Sequence, residues 1–381
     1  MFDNTTALRE AKTDTKTADR GSRGSRNPNY DLLVFCHLRW DFVYQRPQHI
    51  ISRLAQEYRI LFVEEPIART DQSHSLEVLG PNLHIFRPNI SSLEGLSAAI
   101  ATLGVGSQFP LAWFYSASFS GVLKEIHFDH VIYDCMDELS LFKGAPAALL
   151  DQERFLLQHS DIVFTGGRSL FESKRPLHPN VHCFPSSVDF DHFAKAKNGI
   201  PLPLDIMDIP KPIVGYFGVI DERLDLGLVE KTALRLPQFS FVFIGPLAKI
   251  HDSELPRLPN IHYLGMKPYQ TLPNYLKAFT IAMMPFALND ATKFISPTKT
   301  LEYMAAGKPI VSTRIKDVER DYSSCVHLVA DDEDFADLLI KLLLQTGVSA
   351  ESARYEEILK NTSWNATVNK MRQVIAEVRE R

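Results

Sequence analysis

No stretch of the sequence approaches the roughly 18 uninterrupted apolar residues of a membrane span, and the N-terminal residues hold no apolar core of the secretory kind. A basic excess is missing too: 41 Lys and Arg face 46 Asp and Glu, a formal net charge of -5. Such a chain has little with which to neutralise a phosphate backbone, so nucleic acid is not expected as a partner. Cysteine is scarce. Cys36, Cys135, Cys183 and Cys325 form no CxxC pair and no compact ladder, the pattern of reduced thiols in cytoplasm. No Gly-x-Gly-x-x-Gly follows a strand-like run, and neither a P-loop nor a Gly-x-Ser-x-Gly elbow occurs, which removes the main support for dinucleotide oxidoreductases, P-loop enzymes and serine hydrolases. The Asp-x-Asp strings at 189–191 and 332–334 are short enough to recur by chance, and Pro179 breaks any helix that would align His178 with His182. Neither metal nor cofactor is expected.

What is present is ample core material: 381 residues, 45% of them hydrophobic, enough for two or three domains. Residues 1–28 hold few large apolar side chains and include Gly-Ser-Arg-Gly-Ser-Arg at 21–26, so they are expected to form a disordered tail. From 29 to 195, strand-like runs (32–36, 60–63, 83–86, 111–115, 130–134, 161–165) alternate with helical patterns such as 47–58 and 146–159. Residues 196–212, rich in Pro, Gly and Lys, read as a linker. The rhythm then restarts over 213–362, and a last helix occupies 363–381. Strands alternating with helices imply parallel sheets. Two such α/β domains would face one another across a cleft, their ligand faces at the carboxyl ends of the strands.

The densest chemistry lies between 285 and 313. Ser296 is a good N-cap and Pro297 suits a first helical position. The N–H groups of Thr298, Lys299 and Thr300 would then point out of a helix start, an anion site to which Lys299 adds a full charge. Glu302 falls on the same face one turn deeper, where a carboxylate can accept two hydroxyls, as from a ribose. Gly307 and Pro309 stop the helix. Phosphate at the helix start and a diol one turn in is the geometry of a nucleoside diphosphate. A capped surface helix with an exposed Lys299–Glu302 pair is the alternative that spacing alone leaves open.

The run from Ser296 to Thr313 resembles the nucleotide-sugar-binding segment of group 1, family-4-like GT-B glycosyltransferases, Ser-Pro-x-Lys-x-x-Glu-Tyr-x-Ala-x-Gly-x-Pro-Val-Val. Val188-Asp189 with Phe193, Val214 to Gly218, and Ser363-Trp364 are similar to other landmarks of that family in the same order. The resemblance implies two Rossmann-like domains, with a donor held on the second by Lys299, Glu302, Arg223, Ser296, Thr298 and Gly218, and with Asn289 near the donor sugar. Two positions depart from the family. Phe294 stands where the first acid of its Glu-x7-Glu pair is usual, and Val219 follows Gly218 where an Arg is usual.

The loop after the first strand, His37 to His49, resembles the Trp-Asp-x-x-x-Gln-Arg-Pro-Gln-His pattern of a subgroup of bacterial polysaccharide glycosyltransferases. Trp40 and Tyr44 offer flat faces for a sugar ring, and Arg39 and Arg46 suit the phosphates of a lipid-linked acceptor. The expected acceptor side is therefore His37, Arg39, Trp40, Asp41 and Arg46, with Arg168 a further cation at the end of the strand 161–165. Asp134, Asp137 and Glu138 cluster at the end of the strand 130–134. A cleft carboxylate can take the acceptor proton or steady a cationic sugar. Asp137, at a place where many relatives carry His, is the first candidate for the base and Glu138 the second. The reading is a cytoplasmic transferase that passes a sugar from a nucleotide-sugar donor to a sugar or lipid-linked sugar acceptor, a lipid-linked one drawing it to the inner face of the membrane. A GT-B nucleotide-sugar epimerase and a non-catalytic partner subunit remain as alternatives.

Overall fold

The computed structural model describes residues 30–68, 73–344 and 351–380; the expected tail at 1–28 lies outside them. Within these residues, eight strands form the first sheet: β1 (Leu32–Cys36), β2 (Ile60–Glu64), β3 (Ser75–Gly80), β4 (Leu83–Arg87), β5 (Gln108–Phe114), β6 (His127–Cys135), β7 (Ile162–Thr165) and β8 (Val181–Cys183). Their order is β3-β4-β2-β1-β5-β6-β7-β8, all parallel except the edge strand β3, which pairs antiparallel with β4. Six more build the second sheet: β9 (Ile213–Phe217), β10 (Ser240–Ile244), β11 (Ile261–Tyr263), β12 (Ile281–Met284), β13 (Ile310–Thr313) and β14 (His327–Val329). They run parallel in the order β11-β10-β9-β12-β13-β14. Continuous apolar runs such as Leu-Leu-Val-Phe-Cys in β1 are buried along their whole length, as strands covered by helices on both faces must be.

Three apolar clusters hold the molecule together. One fills the second lobe and draws in Val188, Phe193, Ala196 and Ile206 from the chain that precedes it. The other two cover opposite faces of the first sheet. The outermost includes Trp364, Val368, Met371 and Ile375 of the terminal helix Trp364–Arg379. This helix leaves the second lobe and packs on Ile50, Ile51 and Leu54 of the helix Arg46–Leu54. Each such side chain taken fully from water contributes about 1.5–3 kcal/mol, so the return of the chain to its first lobe is firmly driven. Trp364 also stacks on His49 with centroids 4.7 Å apart, and Ser363 caps the helix by accepting the Ala366 N–H.

The lobes meet around the cleft. Asp317 of the second lobe is buried against the backbone N–H and hydroxyl of Ser169 in the first. The Ser186 hydroxyl donates to the Ser296 carbonyl. Gly167 has no room for a side chain here: a Cβ would lie 2.6 Å from an Asp317 carboxylate oxygen and 2.9 Å from Ser296 Cβ.

Candidate functional site

The carboxyl ends of β1, β6 and β7 in one lobe and of β9, β10, β11 and β12 in the other point into the same gap, where the loops that follow them form two adjoining cavities. The larger, of about 630 Å³, is walled by the first-lobe loop Trp40 to Tyr44 and, opposite, by Gly218, Pro246 and Met266 to Gln270. The smaller, about 90 Å³, is lined by Arg46, Asp137, Arg223, Ser296, Thr298 and Lys299, among others. The chain itself joins them: Tyr44 borders the first and Gln45 the second, and at the end of β9 Tyr216 borders the second and Phe217 the first.

Lys299 stands at the junction. Its ammonium lies 5.4 Å from the Tyr216 ring centroid, and its side chain runs so close to Gly218 that a Cβ there would collide with it. Gly218 has φ +139 and Gly245, with φ +153, packs its Cα against the Gly218 carbonyl; a side chain at either position would close the passage. Burial lowers the Lys299 pKa and pushes that of Glu302 up to about 7, the charge of Lys299 opposing the second shift. No ion pair forms between them, and among the described residues the Glu302 carboxylate has no hydrogen-bond partner. Its charge bears on Tyr269, a half-buried residue that borders the larger cavity and whose buried hydroxyl is likewise unpartnered among the described residues.

The helix carrying these two residues is shorter than its spacing suggests. It runs from Lys299 to Ala305, and Thr298, not Ser296, holds the N-cap position, in helical conformation and without a side-chain cap. Pro297 and Thr298 carbonyls accept from Thr300 and Leu301 in a tightened first turn. A seven-residue helix offers a modest dipole, so the formal charge of Lys299 matters more than the helix end.

Arg223 enters from the second lobe and is gripped by Asp221 through three hydrogen bonds of 2.7–3.1 Å. Its guanidinium lies over Phe142 of the first lobe at 5.5 Å, and Lys249 covers the same ring at 4.2 Å. Asp137 faces this cationic wall, half-buried. Burial raises its pKa, with Arg223 the main opposing influence, and among the described residues its carboxylate has no hydrogen-bond or ion-pair partner. A free, basic carboxylate between cations is what proton abstraction needs.

Several expected ligands are engaged elsewhere. Glu138, the second candidate for the base, turns away from the cleft: Lys174 holds it at 2.7 Å and bonds Glu153 at the same distance, in a pocket of the first lobe. Lys174 is 2% exposed, so a lone buried ammonium would be costly without both acids. Arg39 pairs with the fully buried Glu64 at 2.6 Å. Arg46 binds Asp134 through bonds of 2.8–3.2 Å and gives another to the Phe184 carbonyl, although its edge still borders the smaller cavity. Arg168 is more than half exposed and meets Asp321 at 3.3 Å, outside both cavities. Asn289 is committed to its own 3-10 turn, accepting from Thr292 and donating to the Glu222 carbonyl. His37 is buried beside Lys249, and burial lowers its pKa to about 4, so it is a neutral imidazole at pH 7. Trp40 and Asp41 border the larger cavity, with Asp41 paired to Arg87. Sequence reasoning passed over Tyr269 and Lys249, which bear no motif; each follows the carboxyl end of a strand, the one signal that marks them.

Residues 211–345 match the family model described as glycosyl transferases group 1. Over 272 residues the chain is 25% identical to the putative teichuronic acid biosynthesis glycosyltransferase TuaH of Bacillus subtilis (strain 168), covering 66% of this chain and 68% of that one. Among solved structures, sucrose-phosphate synthase from Thermosynechococcus elongatus superposes with a TM-score of 0.67 at 14% identity, over 91% of this chain and 98% of the other. An alpha,alpha-trehalose-phosphate synthase (UDP-forming) from Burkholderia vietnamiensis gives 0.63 at 16%, over 93% and 100%. A trehalose-6-phosphate structure from E. coli bound with UDP-2-fluoro glucose gives 0.64 at 12%, over 91% and 98%. The structural likenesses carry the two-lobed fold, while the family match and the curated relative carry the activity and favour neither an epimerase nor a silent subunit. The chain is a glycosyltransferase of GT-B fold whose second lobe matches the group 1 family model.

Proposed function

We propose that the protein transfers a sugar from a nucleoside diphosphate to a hydroxyl of a sugar or lipid-linked sugar acceptor in polysaccharide assembly. The observation that carries this reading is the pair of cavities joined at Lys299 and Gly218. A donor laid along them has its nucleoside in the large cavity, its ribose between Glu302 and the Tyr269 hydroxyl, its diphosphate at Lys299 with Arg223 beyond, and its sugar beside Asp137. That the E. coli structure holds UDP-2-fluoro glucose, and that the Bacillus relative is named for teichuronic acid biosynthesis, supports both donor class and pathway class. The acceptor-pattern loop at 37–49 supports the polysaccharide subgroup. The division of labour follows the lobes proposed from sequence, 29–195 and 213–362, linked by 196–212.

In the transfer, the acceptor oxygen forms a bond to the anomeric carbon as the bond from that carbon to the diphosphate oxygen breaks. Asp137 takes the acceptor proton, and the nucleoside diphosphate leaves with the bonding pair. Lys299 and Arg223 stabilise that departing charge in a site from which lobe closure excludes water. The acceptor enters from the first-lobe side, where His37 and Lys249 are neighbours. No helix among the described residues is long and apolar enough to cross a membrane; a lipid-linked acceptor would be met at the membrane surface.

Titration with UDP, GDP and dTDP, followed by thermal shift, tests the donor half: one of them raises the melting temperature, and Glu302→Ala weakens that ligand. Asp137→Ala tests the chemistry. It should lower kcat about a hundredfold or more while leaving nucleotide affinity within about twofold. Wild-type turnover in both variants refutes the assignment.

A further inference from the structure

Two buried polar side chains that touch neither cavity, Gln48 of the loop pattern and Glu64 at the end of β2, hold Trp40. Its N–H donates to Glu64 at 2.9 Å and its carbonyl accepts from Gln48 at 3.0 Å, and both of those side chains are fully buried. Glu64 is itself fixed by Arg39 at 2.6 Å and Arg87 at 3.2 Å, and Arg87 in turn grips Asp41. On its far side the indole packs edge-on against Phe62, with centroids 5.0 Å apart. Buried charged and amide groups are costly unless fully paired. Their pairing here fixes one loop, and what the loop presents is a half-buried Trp40 with Tyr44 beyond it. Tyr44 lies 4.6 Å from Tyr269, a residue of the opposite lobe.

We propose that Trp40 and Tyr44 form the first-lobe wall of the nucleoside pocket, so that the donor base is clamped between the lobes and not by the second lobe alone. The inference rests on the donor reading given above, and it moves Trp40 and Asp41 from the acceptor side to the donor side. Position argues for it. The loop 40–44 borders the large cavity, which shares no lining residue with the one that holds Asp137. Lys299 and Gly218 stand between them, so a sugar acceptor resting on Trp40 would be a diphosphate's length from the base that must take its proton. A flat heterocycle fits the wall, because aromatic faces stack on any nucleobase. Lobe closure then becomes part of donor binding, since half of the pocket arrives with it.

The chain offers a direct probe. Of its three tryptophans, Trp113 and Trp364 are 0% and 1% exposed, so the emission quenched by iodide comes from Trp40, and Trp40→Phe abolishes that component. The experiment titrates the full chain with UDP, GDP and dTDP, reading calorimetric affinity and iodide-accessible emission together, and repeats it on Trp40→Ala, Trp40→Leu and Trp40→Phe. The expected result is that the nucleotide that binds shields Trp40 from iodide. Its affinity should fall about tenfold in the Ala and Leu variants and recover in Phe, while the acceptor KM stays within about twofold. A loop that has merely collapsed would not be rescued by Phe with Leu still impaired. If a nucleotide binds but leaves Trp40 accessible, or if the substitutions raise only the acceptor KM, the clamp is refuted and the donor reading survives. If none of the nucleotides binds the wild-type chain, the donor reading falls and takes the clamp with it.

Discussion

The two rims of the cleft use charge in opposite ways. On the first-lobe rim, Arg39, Arg46, Asp134 and Glu138 are spent on partners within the lobe, and Asp137 is the carboxylate left over. On the second-lobe rim Arg223 is held by Asp221, but Lys299 and Glu302 share a helix face with no ion pair between them, and each carries a pKa displaced toward its neutral form. One rim is a finished scaffold; the other is strained until something charged arrives. The density of polar residues in a motif therefore does not rank its members as ligands. What ranks them is whether their bonding capacity is already used.

The sharpest way to break this contrast is at Arg46. If its guanidinium is scaffold, Arg46→Ala leaves Asp134 buried and unpaired, and the cost should be about 3–5 kcal/mol of stability, read from a shifted denaturant midpoint. Arg46→Met paired with Asp134→Leu should recover much of that loss, because a buried ion pair can be replaced by packed apolar side chains at little net cost. If Arg46 instead bound substrate, stability would hold and acceptor KM would rise. Lys299→Met should do the reverse. With no partner left stranded, the fold keeps its stability or gains some, and nucleotide affinity falls about tenfold or more with the loss of one charge-assisted contact.

Glu302 sharpens the comparison through pH. Its folded pKa, about 7, lies above the ordinary Glu value near 4.3, so the folded state binds the extra proton between those limits. The contribution of this group is complete below about pH 4 and is lost as pH rises through 7. The ligand-free protein should therefore weaken over that range, and Glu302→Gln should flatten the slope and stabilise it at pH 8 by about 1–3 kcal/mol. The same variant should bind nucleotide more weakly. Denaturant midpoints taken between pH 5 and pH 8, with and without nucleotide, check both halves. A wild-type midpoint that climbs toward pH 8 would contradict the burial argument.

Much of this was legible beforehand. The apolar runs of β1, β2, β6, β9, β10, β12 and β13 announced parallel strands because strands covered on both faces tolerate no polar alternation. Missed elements were those whose burial is partial or whose length is short: the edge strand β3 with its exposed Leu76 and Val78, the three-residue β8 and β14, and the helix Lys316–Tyr322, which carries the interlobe Asp317. The cap at Ser296 failed for a different reason. Its carbonyl is engaged by Ser186 from the first lobe, a long-range contact that no local signal encodes. Lys299, Glu302 and Asp137 were singled out by spacing and by their place after a strand, both local properties. Which neighbouring acids and cations were already paired depends on contacts such as Arg46 with Asp134, 88 residues apart, and spacing does not report those.

Glu138 gives the finest test of that last point, because it adjoins Asp137 in sequence and offers the same carboxylate, already engaged. Its carboxylate neutralises Lys174 together with Glu153, and the Tyr133 hydroxyl closes the group through Glu153. Glu138→Gln keeps a hydrogen-bond acceptor for the Lys174 ammonium but removes half of the compensating charge. The folded protein should become less stable, while kcat per folded molecule stays within about twofold of wild type, against the hundredfold expected for Asp137. Measuring turnover well below the melting transition of the variant separates the two effects. A fall in kcat comparable with that of Asp137→Ala, at unchanged stability, would place Glu138 in the cleft chemistry and erase the distinction between the engaged acid and the free one beside it.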